Sequence, residues 1–105
     1  MAAILRSIAA VGLIGVAGVA LAAGKTHEVV IEGMKFTPAT LEARSGDKVV
    51  WRNKDVVPHT ATAAGAFDSG SIAPGQSWSH VMGKAGRYDY VCTFHPGMKA
   101  SIVVK

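Results

Sequence analysis

From Lys25 to Lys105 the chain is broken by turn residues every few positions, and no segment between them carries a helical period. That pattern allows little but short strands. His27, Val29 and Ile31 alternate with Glu28, Val30 and Glu32, as in a half-buried strand. Thr37-Pro38 interrupts it. Leu41–Arg44 and Lys48–Arg52 read as two strands joined tightly through Ser45-Gly46-Asp47. Asn53-Lys54-Asp55 reads as a loop and Thr60–Ala63 as a short strand. Gly65–Gln76 is rich in Gly, Ser, Ala and Pro, with a turn at Pro74-Gly75. Ser77–Met82 alternates again. Lys84-Ala85-Gly86 turns the chain into Arg87–Cys92, and Ser101–Val104 closes it after a loop. Seven to eight short strands at this spacing predict an all-β fold, a Greek-key β-sandwich or barrel.

The N-terminal segment is of another kind. Ser7 to Gly24 is 18 residues without a charge, ten of them Ala or Gly. Arg6 supplies a positive start, Ile8–Leu21 an apolar run, and Ala20-Leu21-Ala22 a small-x-small cleavage pattern. Residues 1–22 are expected to be a cleaved signal peptide, leaving a single domain over residues 23–105. Ala and Gly make the run a poor membrane anchor. No stable membrane insertion is therefore expected after cleavage.

Composition removes several function classes. A chain of 105 residues has room for one domain. One cysteine excludes an intramolecular disulfide. The formal charge of +4 falls by one without Arg6, too weak and too evenly spread to argue for nucleic acid.

The chemistry sits near the ends of two strands. Cys92, His95 and Met98 follow one another with two spacers each, on a loop with Pro96 and Gly97. His59 lies upstream, directly after Pro58. Two imidazoles, a thiolate and a thioether match the donor set of a blue-copper site, a trigonal His₂Cys plane with a weak axial Met. Thiolate and thioether favour Cu(I), and imidazole suits both oxidation states, so such a set serves electron transfer. A hydrolase built on Cys92 and His95 would need an orienting group and a substrate pocket, for which so small a domain has little room. Elsewhere the ordinary readings prevail. His80, on one face with Trp78 and Met82, reads as a packed or rim histidine. His27 reads as solvated. Trp51, Trp78, Tyr88 and Tyr90 read as core or sheet-surface aromatics, with Trp51 buried.

These residues carry a family resemblance. Met34–Pro38, Ser45–Trp51, Pro58-His59, Lys84–Tyr90 and Cys92-Thr93-x-His95-Pro96-x-Met98 resemble the cupredoxins, most closely the amicyanin and plastocyanin-like branch. The resemblance implies a Greek-key sandwich with one mononuclear type 1 copper. It implies His59, Cys92 and His95 as equatorial ligands and Met98 as the axial one. It further implies a periplasmic, monomeric electron carrier, not an enzyme, that works between redox proteins such as a dehydrogenase and a c-type cytochrome. A copper protein for storage, delivery or resistance would use the same ligands, but no Met-rich or His-rich tract for loose capture is present. Thr60 stands where the family usually has Asn after the first histidine, which predicts a shorter tie, or none, between the two ligand loops. Phe94 and Gly97 stand where the amicyanin-like loop often has Pro and an aromatic.

Overall fold

The computed structural model describes residues 24–105, so the signal segment expected over residues 1–22 lies outside the described residues. The described chain is all β. Nine strands run in order: β1 Thr26–Ile31, β2 Phe36–Thr37, β3 Thr40–Ala43, β4 Lys48–Asn53, β5 Thr62–Ala63, β6 Phe67–Asp68, β7 Ser77–Val81, β8 Gly86–Cys92 and β9 His95–Val104. They form two sheets, ordered β2-β1-β4-β7 and β3-β9-β8-β5-β6.

The alternation seen in the sequence decides which side chains enter the space between the sheets. Val29 and Ile31 of β1, and Val49, Trp51 and Asn53 of β4, point inward. From the other sheet come Tyr90 and Cys92 of β8 and Met98, Ile102 and Val104 of β9. Trp51 is the hub of the core, with ring centroids 5.3 Å from Phe67, 5.3 Å from Trp78 and 5.6 Å from Tyr90. Burial pushes the Tyr90 phenol up to about 12, so it stays neutral at ordinary pH. His80 stacks on Trp78 at 5.7 Å and leans on Phe67 at 5.2 Å. It is the packed rim histidine that its face predicted.

Three features differ from the sequence reading. First, β3 and β4 are close in sequence but do not pair. β3 runs parallel to β9, and β4 runs parallel to β1 and antiparallel to β7. The turn at Ser45-Gly46-Asp47 is therefore a crossing between sheets, not a hairpin. Gly46 adopts φ 94° there, and its N–H donates to Met82 O at 2.7 Å. Second, Gly65–Gln76 is more than a loop: β6 falls within it, and Phe67 and Ile72 enter the core. Third, β9 begins at His95 instead of Ser101, because residues 92–99 themselves form a bulged hairpin.

His27 also departs from its solvated reading. Its Nε2 lies 2.8 Å from Asp47 Oδ2. Asp47 is buried and also accepts the N–H groups of Lys25 and Arg44, at 2.9 and 3.0 Å. One carboxylate thus joins the start of β1 to the crossing turn. The His27 hydrogen bond, helped by the two backbone N–H groups, lowers Asp47 from 3.8 to about 2. A depressed carboxylate contributes stability above its unfolded pKa and loses it as pH falls through the folded one. Asp47→Asn is accordingly expected to melt lower than wild type at neutral pH. The gap should close as pH falls from 3.8 to about 2, as thermal melts across that range would show.

Candidate metal centre

The site grows from the inward face of β4. Val49, Trp51 and Asn53 share that face, and Asn53 sits at its end, fully buried. A buried amide must spend its hydrogen bonds on protein. Asn53 Nδ2 donates to Val57 O and to Ile72 O, both at 2.9 Å. Its Oδ1 accepts the Asp55 N–H at 2.9 Å. This one side chain folds residues 54–58 into a tight arc and clamps that arc to the segment at Ile72. His59 emerges from the arc and exchanges backbone hydrogen bonds with Ile72 in both directions, at 3.1 and 2.7 Å. Its imidazole has no exposed surface.

The ring is fixed by Asp55, one Oδ2 of which lies 2.8 Å from His59 Nε2. A carboxylate accepts, so the proton is on Nε2 and the Nδ1 lone pair is free. Nδ1 faces Cys92 Sγ at 3.6 Å. Asp55 in turn accepts the Gly33 and Met34 N–H groups, at 2.7 and 3.0 Å. Burial alone would raise its pKa, but these two N–H groups and His59 outweigh it and hold the carboxyl below its usual range.

Cys92 closes β8 and is fully buried. Its Sγ accepts the Thr60 N–H at 3.3 Å, which fixes where the sulfur points. Cys92 pairs directly with His95 across the turn Thr93-Phe94, while the next pair is Val91 with Lys99. The register slips by the three residues Pro96, Gly97 and Met98. This bulge lets Met98 return to the interior, where it is 6% exposed. His95 is half-buried at the surface end of the site. Its ring centroid lies 5.4 Å from that of His59, edge to face.

The tie predicted to be short or missing is present. Thr60 Oγ1 accepts the Thr93 N–H at 2.8 Å. The two threonine hydroxyls, Thr60 Oγ1 and Thr93 Oγ1, also lie within hydrogen-bond distance of each other at 3.0 Å. A hydroxyl thus makes the shorter of the two expected ties, because β5 and β8 lie close enough for the threonine side chain to reach.

Of the four residues singled out in the sequence, His59 and Cys92 converge, His95 stands one ring outward, and Met98 is buried in the same bulge. Among the described residues, no group of three or more His, Cys, Asp or Glu forms a metal cluster as it stands. The His59–Cys92 spacing nonetheless fits a shared ion. Metal–nitrogen and metal–sulfur bonds of about 2.0 and 2.3 Å at a trigonal angle would put the two donors about 3.7 Å apart. Asn53 and Asp55 went unremarked as a loop. Their signals were the inward parity of Asn53 on β4 and an acid four residues before a histidine.

Comparison with known proteins agrees with this geometry. A family model described as a cupredoxin-like domain matches residues 4–104. The chain belongs to that family. It is similar to amicyanin-alpha of Methylorubrum extorquens, 34% identical over 93 residues, covering 79% of this chain and 74% of the relative. It is similar to the amicyanin of Paracoccus versutus, 31% identical over 81 residues, and spans 61% of that relative's length, with 71% of this chain aligned. Among solved structures, a Cu(I) form of an amicyanin variant superposes with a TM-score of 0.72 at 31% identity, covering 76% of this chain and 82% of that one.

Asp55→Ala removes the acceptor for the buried His59 N–H and for two turn amides. Loss of a charged acceptor is expected to lower stability by about 2 kcal/mol in denaturant titration. The NMR signal of the His59 Nε2 proton should lose its hydrogen-bonded shift.

Proposed function

We propose that this protein is a single-electron carrier that holds one mononuclear copper ion with His59, Cys92, His95 and Met98. The observation that carries the reading is the pair His59 Nδ1 and Cys92 Sγ, 3.6 Å apart and fully buried, with the bulge bearing His95 and Met98 beside it. Copper bound there would supply a one-electron couple, with the soft sulfur donors favouring Cu(I) and the imidazoles serving both states.

The chain's own residues do the remaining work. Asp55 and Asn53 hold the His59 ring so that Nδ1 faces the thiolate. The Thr60 N–H keeps Cys92 Sγ in place, and the Thr60 hydroxyl locks the two ligand segments to each other. Donors anchored in this way need little movement when the charge on the ion changes. His95, the more exposed imidazole, is the route for the electron. It lies in an uncharged surface made by Val56, Val57, Pro58, Phe94 and Pro96. Val56 is 91% exposed and Phe94 51%. Such a surface suits brief, small-area docking by a redox partner. We read the partners as a dehydrogenase and a c-type cytochrome, the location as the periplasm, and residues 1–22 as the signal that takes the domain of residues 23–105 there.

The reading is of a carrier, not an enzyme or a copper store. A concavity of about 590 Å³ runs along Thr40, Asp89 and Ser101 on the five-stranded sheet, and none of the four proposed donors lines it. The two best-placed donors are fully buried, which suits retention of the ion over many cycles.

Purified protein given Cu(II) should turn intensely blue through thiolate charge transfer, and Cys92→Ser should be pale, because an alcohol oxygen supplies no such band. A pale wild-type protein would overturn the assignment, as would a blue serine variant. Val56→Glu tests docking at a side chain too exposed to affect the fold. It is expected to slow electron transfer to a c-type cytochrome by about tenfold with the blue band unchanged, in stopped-flow mixing.

A further inference from the structure

Met34 is out of place as an ordinary surface residue. Of the three methionines among the described residues, Met82 and Met98 are 1% and 6% exposed, whereas Met34 is 42% exposed. It is also the only non-glycine residue among them with a positive φ, at 60°. L-residues with side chains avoid that left-handed region, and residues held there cluster at functional sites. The conformation is maintained by Asp55, which accepts the N–H groups of both Gly33 and Met34. The carboxylate that fixes His59 thus also fixes where the Met34 thioether is presented. That place adjoins Met98: Met34, Gly97 and Met98, with Lys35 and Lys99 at its rim, line one cavity of about 170 Å³. Gly97 puts no side chain in it.

A buried pair such as His59 and Cys92 poses a loading problem. An ion arriving on a carrier molecule cannot reach donors with no exposed surface, and it does not travel bare. It must exchange ligands one at a time, from outside inward. Thioethers are suited to Cu(I) and poor ligands for Cu(II). An exposed thioether is also open to oxidation, so leucine would serve a merely apolar role here with less liability.

We propose that Met34 is the acquisition ligand for Cu(I), the first protein atom to bind the incoming ion before it passes to Met98 and on to Cys92 and His59. The inference rests on the copper reading above. In the first step a bond from Cu(I) to Met34 sulfur forms as the bond to the carrier's ligand breaks. In the last, the Cys92 S–H bond breaks, sulfur binds the ion and the proton leaves to water. Copper remains Cu(I) throughout and no electron is transferred.

The test compares wild-type and Met34→Leu apoprotein, which share size and apolarity but not sulfur. Each is mixed with the coloured Cu(I)–bicinchoninate complex, and the rate and final extent of colour loss are followed. A parallel series uses Cu(II) and the growth of the blue band. Met34→Leu is expected to take up Cu(I) about tenfold more slowly, to the same final extent, and Cu(II) at the wild-type rate. Equal Cu(I) rates would overturn the proposal. Equal slowing with Cu(I) and Cu(II) would also overturn it, by showing that Met34 shapes the entrance without binding the ion. A wild-type protein that takes up neither ion would overturn the copper reading itself, and this inference with it.

Discussion

The hydrogen bond between His59 and Asp55 governs the site because it decides what the opposite edge of the ring can do. An imidazole carries one proton when neutral, and a carboxylate facing Nε2 keeps that proton there. Nδ1 is left as a bare lone pair, 3.6 Å from a buried sulfur. Asp55 can do this only because its own charge is paid for by two backbone N–H groups from the Gly33-Met34 turn. Asn53 makes the arc that brings Asp55 and His59 to one side. The site is thus held through three layers, each of which satisfies a polar group that burial would otherwise penalise.

The sandwich supplies the rigidity on which those layers rest. β4 ends at Asn53, β8 ends at Cys92, and both deliver their last inward side chain to the same pole of the core. Trp51 lies behind them, packed against Phe67, Trp78 and Tyr90. Close-packed aromatics transmit little movement. His59, in the segment that follows β4, and Cys92, at the end of β8, are therefore held at a spacing that neither segment could keep alone. At the same pole the surface is apolar and exposed, so a rigid interior sits next to a face open to contact.

Much of this was legible in the residues. Strand alternation puts Val29 and Ile31 on one face of a half-buried strand and Trp51 reads as buried, and the structure places all three inside. The donor types at Cys92, His95 and Met98 stood out because three such side chains rarely follow one another at even spacing on a turn. Leu41–Arg44 and Lys48–Arg52 are joined tightly, as the sequence suggests, but the join leads from one sheet to the other. A Ser-Gly-Asp turn looks alike whether the chain folds back within a sheet or crosses to the next, since the local backbone geometry is the same. His27 was read as solvated because its partner, Asp47, is twenty residues away.

By itself the sequence determined the class of fold and the alternation of its clearest strands, because these depend on side-chain period over a few neighbouring residues. Only the tertiary structure decided which strands pair, that β3 joins β9 and β4 joins β1, and that Thr60 reaches Thr93 with a hydroxyl. It alone decided the hydrogen-bond partners of Asn53 and Asp55. A polar residue in a loop has no fixed partner until distant strands bring one within about 3 Å, where hydrogen bonds form. That last step is set by how the sheets stack, which no local pattern encodes.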